Sequence, residues 1–294
     1  MKKTSLKVKC EDGVELTANL FAPTHPKAAV MMSGATAVPK EFYFSFAAYL
    51  VERNYAVICY DYRGVCSSQP EGGLKKCEYE YLDWGMKDMP AVMNYLAEQF
   101  PNIPKLIVGH SVGGQKFGMM PNHKEVSGMV TFASSAGYWG YMPLAYRLQT
   151  HFFFDIFRPL SNWFYGYTAA KKLNLMEDLP KNVTNAWRNW CSVPEYFFDK
   201  KYYADTAAKG FYDQIEFPIQ LYWSTDDNIV NQRSVDAFWK HVKSSKGVEL
   251  AKITPDEFGV KSIGHFGLFR RKFKETLWPL VLNKLDEFHE TAKP

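Results

Sequence analysis

Paired cysteines, long apolar runs and blocks of like charge are all missing from this chain of 294 residues. Its five cysteines, at 10, 59, 66, 77 and 191, include no CxxC pair. An odd, scattered set excludes a disulfide framework and a cysteine metal site, and points to a reducing compartment, by default the cytoplasm. No run of about 18 apolar residues occurs, so no transmembrane helix and no stable membrane insertion are expected. The basic start MKKTSLKVKC lacks the apolar centre of a secretory signal, because charge returns at Lys7, Lys9, Glu11 and Asp12. Thirty-five basic residues against 31 acidic give a formal net charge of only +4, with no basic block to hold nucleic acid. Neither the dinucleotide fingerprint G-x-G-x-x-G nor a Walker loop is present.

Aromatic side chains are abundant, with 22 Phe, 18 Tyr and 8 Trp. They fill a core, line a pocket, or both, and their distribution decides which.

The start reads as a hairpin: Leu6, Val8 and Cys10 alternate with lysines, Glu11-Asp12-Gly13 turns, and Val14, Leu16, Ala18 and Leu20 alternate again. Ala28 to Met32 is apolar without alternation, as in a strand buried on both faces. A helix is expected over 39–53, a second buried strand over 56–60, a helix over 79–100 that bends at Pro90, and strands over 105–108 and 129–132. Strands alternating with helices at this spacing define an α/β fold with a mostly parallel sheet covered on both faces.

The alternation stops between Gly137 and Phe211, where the aromatics crowd into GYWGYMPLAYRLQTHFFFDIF, SNWFYGY and WRNWCSVPEYFFD. A stretch this long is not a bare loop in a compact domain. It reads as an inserted helical cap over 137–211, with the core formed by 1–136 and 212–294. The sheet pattern resumes with strands at 219–223 and 248–253, a helix over 232–242 between them, and a closing helix over 266–288.

The strand 105–108 runs into Gly109-His110-Ser111-Val112-Gly113-Gly114, a G-x-S-x-G sequence with a helix expected to begin at Val112. Nucleophilic catalysis by serine needs this context: the hydroxyl stands on a strained strand-to-helix turn, small neighbours let backbone pass close, and free N–H groups at the helix start meet a developing oxyanion. A serine alcohol also needs a base, and the base an orienting carboxylate, here in the chain order Ser, Asp, His. Three histidines fall in the required stretch. His151 lies in the aromatic insertion and His241 between lysines late in a helix, whereas His265 sits in the loop IGHFG after the last strand. His265 is therefore the expected base, and His110 is expected to serve as a structural hydrogen-bond donor. For the acid, Asp226 and Asp227 compete side by side after the strand at 219–223.

On these residues the chain resembles the α/β-hydrolase superfamily, in its serine aminopeptidase-like and monoglyceride-lipase-like branch, and closer still a bacterial group of α/β hydrolases. The stretch Tyr60-Asp61-Tyr62-Arg63-Gly64-Val65-Cys66-Ser67-Ser68 resembles a family loop D-x-R-G-x-G-x-S of structural character, with Cys66 in place of its second glycine, so that this loop is expected to sit differently. The family's acid pattern G-x-x-D-x-x-V, aligned on Val230, implies Asp227 as the acid and puts Ser224 where glycine is usual. Its oxyanion loop corresponds to Ser33-Gly34-Ala35, implying the backbone N–H groups of Ala35 and Val112 as donors, with Thr36 as runner-up.

The resemblance implies a serine hydrolase acting on a small-molecule ester through an acyl-enzyme on Ser111, with no metal and no organic cofactor. The aromatic insertion adds an expectation of a small or medium apolar acyl group, and a homodimer contact competes for the same aromatics. An acyltransferase, thioesterase or peptidase on the same triad, or a non-catalytic ligand-binding protein of this fold, is the alternative.

Overall fold

The computed structural model describes residues 2–292. Its sheet has eight strands. The chain opens with the antiparallel hairpin β1 (Lys2–Lys9) and β2 (Glu15–Ala22). Lys2, Lys3, Lys7 and Lys9 are exposed on β1, a charged edge that discourages pairing with another sheet. Then follow β3 (Ala28–Ser33), helix α1 (Phe44–Val51), β4 (Tyr55–Tyr60), α2 (Met89–Gln99), β5 (Lys105–His110) and β6 (Val126–Phe132). β3, β4 and β5 are buried along their whole length, which explains their unbroken apolar runs.

The insertion contains α3 (Leu144–His151), a π-helical turn (Phe152–Phe157) and α4 (Arg158–Tyr165) in one continuous rod. The two-residue strands β7 (Tyr167–Thr168) and β8 (Leu179–Pro180) pair before α5 (Lys181–Cys191). The core resumes with β9 (Ile219–Ser224), α6 (Gln232–Trp239), β10 (Val248–Ile253) and α7 (Trp278–Thr291). The sheet order is β1-β2-β4-β3-β5-β6-β9-β10, parallel from β4 onward. This is the α/β-hydrolase fold with an inserted helical cap. Register sets the site: Ser33 at the end of β3 pairs with Gly109 near the end of β5, so the loops that follow share one crevice at the carboxyl edge of the strands.

Several expected helices differ in extent. Pro90 does not bend a long helix; it stands in the first turn of α2, where its missing N–H leaves no bond unmade, and a π-helical turn (Trp84–Asp88) leads into it. The expected closing helix from 266 begins at Trp278 instead, with Pro279 at its start, after two short 3-10 turns. The helix expected after Ser111 is replaced by two 3-10 turns, Ser111–Gly114 and Lys116–Met119. The carbonyls of Gln115 and Gly118 accept instead from Tyr212 Oη at 2.7 Å and Phe211 N–H at 2.6 Å, which diverts them from an α-helical ladder. The family-like loop after β4 keeps its glycine-like bend, with Cys66 at φ +46°. Asp61 accepts from Lys40 Nζ at 2.8 Å, and buried Arg63 bonds Asp88 and Asp12.

Candidate active site

Ser111 follows β5 at φ +52°, a left-handed conformation that a side chain adopts only when its surroundings enforce it. The enforcement is steric. A Cβ on Gly113 would lie 2.0 Å from Ser33 O, and one on Gly109 2.7 Å from Gly114, so both flanking positions of the motif require glycine for the turn to close. Ser134 Oγ donates to Ser111 O at 2.7 Å and stands 2.6 Å from Thr131 Oγ1, which bonds Gly109 O. This hydroxyl pair braces the elbow from β6 and was not legible in the sequence, because neither residue belongs to a motif.

The two competing aspartates have separate partners. Asp227 Oδ2 accepts from His265 Nδ1 at 2.7 Å, and its Oδ1 accepts from the N–H groups of Ile229 at 2.7 Å and Val230 at 3.1 Å. Its side chain is fully buried, a position a carboxylate tolerates only with such a set of partners. Asp226 instead bonds Ser224, Ser262, Ile263 and Gly264 and does not touch the imidazole. The other two histidines are elsewhere: His151 pairs with Asp155 in the cap, and His241 lies against Glu195.

Ser111 and His265 line the same cavity, which has a volume of about 840 Å³ and also exposes Thr36, Val112 and Ala35. No hydrogen bond joins the two side chains among the described residues; in sites of this chemistry that bond commonly tightens only once substrate is bound. The backbone donors divide unequally. The N–H groups of Val112 and Thr36 make no hydrogen bond among the described residues. The N–H of Ala35 donates to Tyr43 Oη at 2.8 Å, so the structure gives this expected oxyanion donor an internal partner. Thr36 is tethered by its hydroxyl, 2.6 Å from Tyr81 Oη.

His110, beside Ser111, is fully buried. Its Nε2 bonds His265 O at 2.8 Å and its Nδ1 lies 2.8 Å from Tyr43 Oη. A carbonyl only accepts, so Nε2 carries the proton, Nδ1 accepts from the Tyr43 hydroxyl, and that oxygen accepts from Ala35. Burial, reinforced by the charge of His265, holds the His110 pKa well below its usual value and keeps the ring neutral, as this pattern requires. A continuous chain of hydrogen bonds thus links the Ser33-Gly34-Ala35 loop to the backbone of the histidine opposite.

The aromatics of the insertion divide three ways. Phe153, Phe154 and Trp187 line the cavity; Trp190, Phe197 and Phe198 are buried; Trp163 and Phe164 are exposed. Nε1 of Trp239 and the side chain of Asn231 tie the core to Ser134 O and, in the cap, Tyr141 O. No acidic side chain lines the cavity among the described residues, and no cluster of His, Cys, Asp and Glu is suited to a metal ion. Nor is any described helix long and apolar enough to cross a membrane.

A nucleophile elbow at the carboxyl edge of this sheet, with an Asp–His pair on the loops after β9 and β10, defines a serine hydrolase of the α/β-hydrolase class. The chain belongs to the family described as "Serine aminopeptidase, S33", whose model matches residues 24–188. Solved structures share the fold at low identity. A soluble variant of monoglyceride lipase from Saccharomyces cerevisiae is 16% identical, with a TM-score of 0.66, over 97% of this chain and 96% of that one. An esterase from Pyrococcus furiosus is 15% identical, with a TM-score of 0.60, over 98% and 93%. No curated protein matches the sequence.

Proposed function

We propose that the protein hydrolyses a small-molecule carboxylic ester with an apolar acyl group, and that Ser111, His265 and Asp227 carry the reaction. The observation that supports this most directly is the 2.7 Å Asp227–His265 hydrogen bond, on the wall of the cavity that also holds Ser111 at φ +52°. Ser111 Oγ attacks the ester carbonyl while His265 Nε2 takes its proton. Asp227 fixes the Nδ1–H tautomer and stabilises the imidazolium. The N–H groups of Val112 and Thr36 stabilise the tetrahedral oxyanion, each donor worth roughly 3 kcal/mol, while that of Ala35 stays with Tyr43. The intermediate collapses as His265 gives the proton to the departing alcohol. Water, deprotonated by the same histidine, then attacks the acyl-enzyme, and His265 returns the proton to Ser111 Oγ as the acid leaves.

The lining bears on the substrate. An aminopeptidase needs an acidic partner for the substrate α-amine, and the described cavity offers none. Phe42, Met142, Phe153, Trp187 and Phe266 present apolar surface instead. Each buried methylene adds about 0.8 kcal/mol of binding, which favours a small or medium apolar acyl chain over a bulky polar one. We take 137–211 as the cap that closes over this group, and place the chain with the bacterial α/β hydrolases its sequence resembles.

The test is labelling with a fluorophosphonate, beside the Ser111→Ala variant, followed by p-nitrophenyl esters of increasing chain length. Labelling of the parent alone, and kcat/KM rising from acetyl toward octanoyl, is the expected result. A parent that neither labels nor turns over any ester overturns the reading.

A further inference from the structure

After β9 two carboxylates stand side by side, and the one that misses the imidazole is the more heavily bonded. Asp226 Oδ1 accepts from Ser224 Oγ and from Gly264 N–H at 2.9 Å; Oδ2 accepts from Ser262 Oγ at 2.7 Å and from Ile263 N–H at 3.0 Å. Four donors fill the four lone-pair sites of a carboxylate. Three of them belong to the three residues directly before His265. We propose that Asp226 is a positioning residue for His265: it clasps the backbone of the loop that delivers the imidazole, while Asp227 orients the ring.

The loop needs such an anchor. It runs over 254–264 from the end of β10, with Glu257, Lys261 and Ser262 among its exposed residues. Connections of this kind are mobile unless tied down. At Gly264 the backbone turns left-handed at φ +61°, and the successive N–H groups of Ile263 and Gly264 converge on one anion. Such a concavity of backbone amides favours a negative charge at its centre. Burial pushes the Asp226 carboxyl up, but the bonds from Ser224, Gly264, Ser262 and Ile263 together outweigh it and hold the group below its usual value, so the clasp is ionised. The fourth donor, Ser224 Oγ, comes from the position where the family pattern has glycine, so this chain supplies from its own sequence a hydroxyl that glycine lacks. His265 is then fixed at three points: its ring by Asp227, its carbonyl by His110, and its approach by Asp226.

The proposal rests on the triad reading above, so its test includes readouts that need no turnover. Asp226→Asn keeps the shape but replaces one acceptor with an NH2 group facing backbone donors; Ser262→Ala removes a single bond and leaves the charge. With Asp226→Asn, kcat on a p-nitrophenyl ester falls about 10- to 100-fold while KM stays within about threefold, the pattern of a misplaced base. Ser262→Ala gives a smaller drop of the same kind. In NMR spectra of both, the His265 Nδ1 proton shared with Asp227 broadens and the amides of Ile263 and Gly264 exchange faster than in the parent. Unchanged kcat with an unchanged Nδ1 proton in a folded Asp226→Asn protein overturns the proposal, even if its melting temperature drops. Should the Asp226→Asn substitution prevent folding, the same two outcomes in Ser262→Ala decide. A parent without labelling or turnover removes the hydrolase reading, and the proton and exchange measurements still decide the clasp.

Discussion

His110 Nε2 donates to the carbonyl oxygen of His265 at 2.8 Å, so the residue next to Ser111 holds the backbone of the proposed base. Through Tyr43 the same ring reaches Ala35 N–H on the third loop of the site. Tyr43→Phe removes the hydroxyl at the middle of this chain, leaving His110 Nδ1 and Ala35 N–H without partners in a buried space. A stability loss of about 1–3 kcal/mol is expected from the unpaired groups. A fall in kcat of about tenfold should accompany it as the ring loses its orientation. Urea melts and ester turnover below the unfolding transition check the two effects separately.

Lys116 is fully buried, with no hydrogen-bond partner for Nζ among the described residues, which lies 4.1 Å from the Trp190 ring centroid, 4.5 Å from Tyr81 and 4.9 Å from Phe197. Burial drives its pKa well below 10.5, so the folded protein gives up this proton at a lower pH than the unfolded chain does. Between the lowered folded value and the unfolded value near 10.5, the unfolded chain binds a proton there that the folded chain has lost. Stability therefore rises with pH over the window between the two values, by up to about 1.4 kcal/mol per unit from this group. Lys116→Met should remove that pH-dependent increment and stabilise the protein. Denaturant melts of parent and variant at pH 7 and 9.5 measure the difference in slope. Equal slopes refute the lowered pKa.

Arg63 and Asp88 are both buried and bonded to each other, with Asp12 completing the set. Asp88 is pushed up to about 6 by burial, against the opposing charge of Arg63. Arg63→Met leaves that carboxyl without its cation and should destabilise the fold by about 3–5 kcal/mol, measured by urea denaturation at pH 7.

Gly113→Ala places a Cβ 2.0 Å from Ser33 O, a backbone atom that cannot swing away. Either β3 or the elbow must shift, and both carry parts of the site. Ester turnover should fall by more than about 100-fold, because a misplacement near 1 Å already has that effect. Retained fluorophosphonate labelling at the parent's rate would show that the turn has room to spare.

The sheet, the insertion and the elbow were legible because each leaves a local mark. Buried strands are apolar throughout, the insertion interrupts the alternation, and the motif sits between a strand and a turn. Elimination among three histidines singled out His265, which shares the cavity wall with Ser111 while His151 and His241 do not. Asp227 needed the family pattern, since adjacent aspartates look alike until their partners are known. The 3-10 turns after Ser111 were not legible, because Phe211 and Tyr212, distant in sequence, draw the carbonyls away. The clasp at Asp226 leaves no trace for the same reason, since it joins residues 36 to 38 positions apart, and the Ala35–Tyr43 bond, though it spans only eight residues, rests on one hydroxyl outside any motif.

β6 and β9 pair directly, Met129 opposite Ile219, although the chain between them makes the whole excursion through the cap. The sheet closes as if that excursion were a short connection. Ser111 lies before the departure, and Asp227 and His265 after the return, so the proposed triad and the inserted helices occupy separate stretches of chain. Substitutions in the insertion can thus reshape the cavity wall at Phe153, Phe154 and Trp187 without touching the stretches that carry the proposed triad.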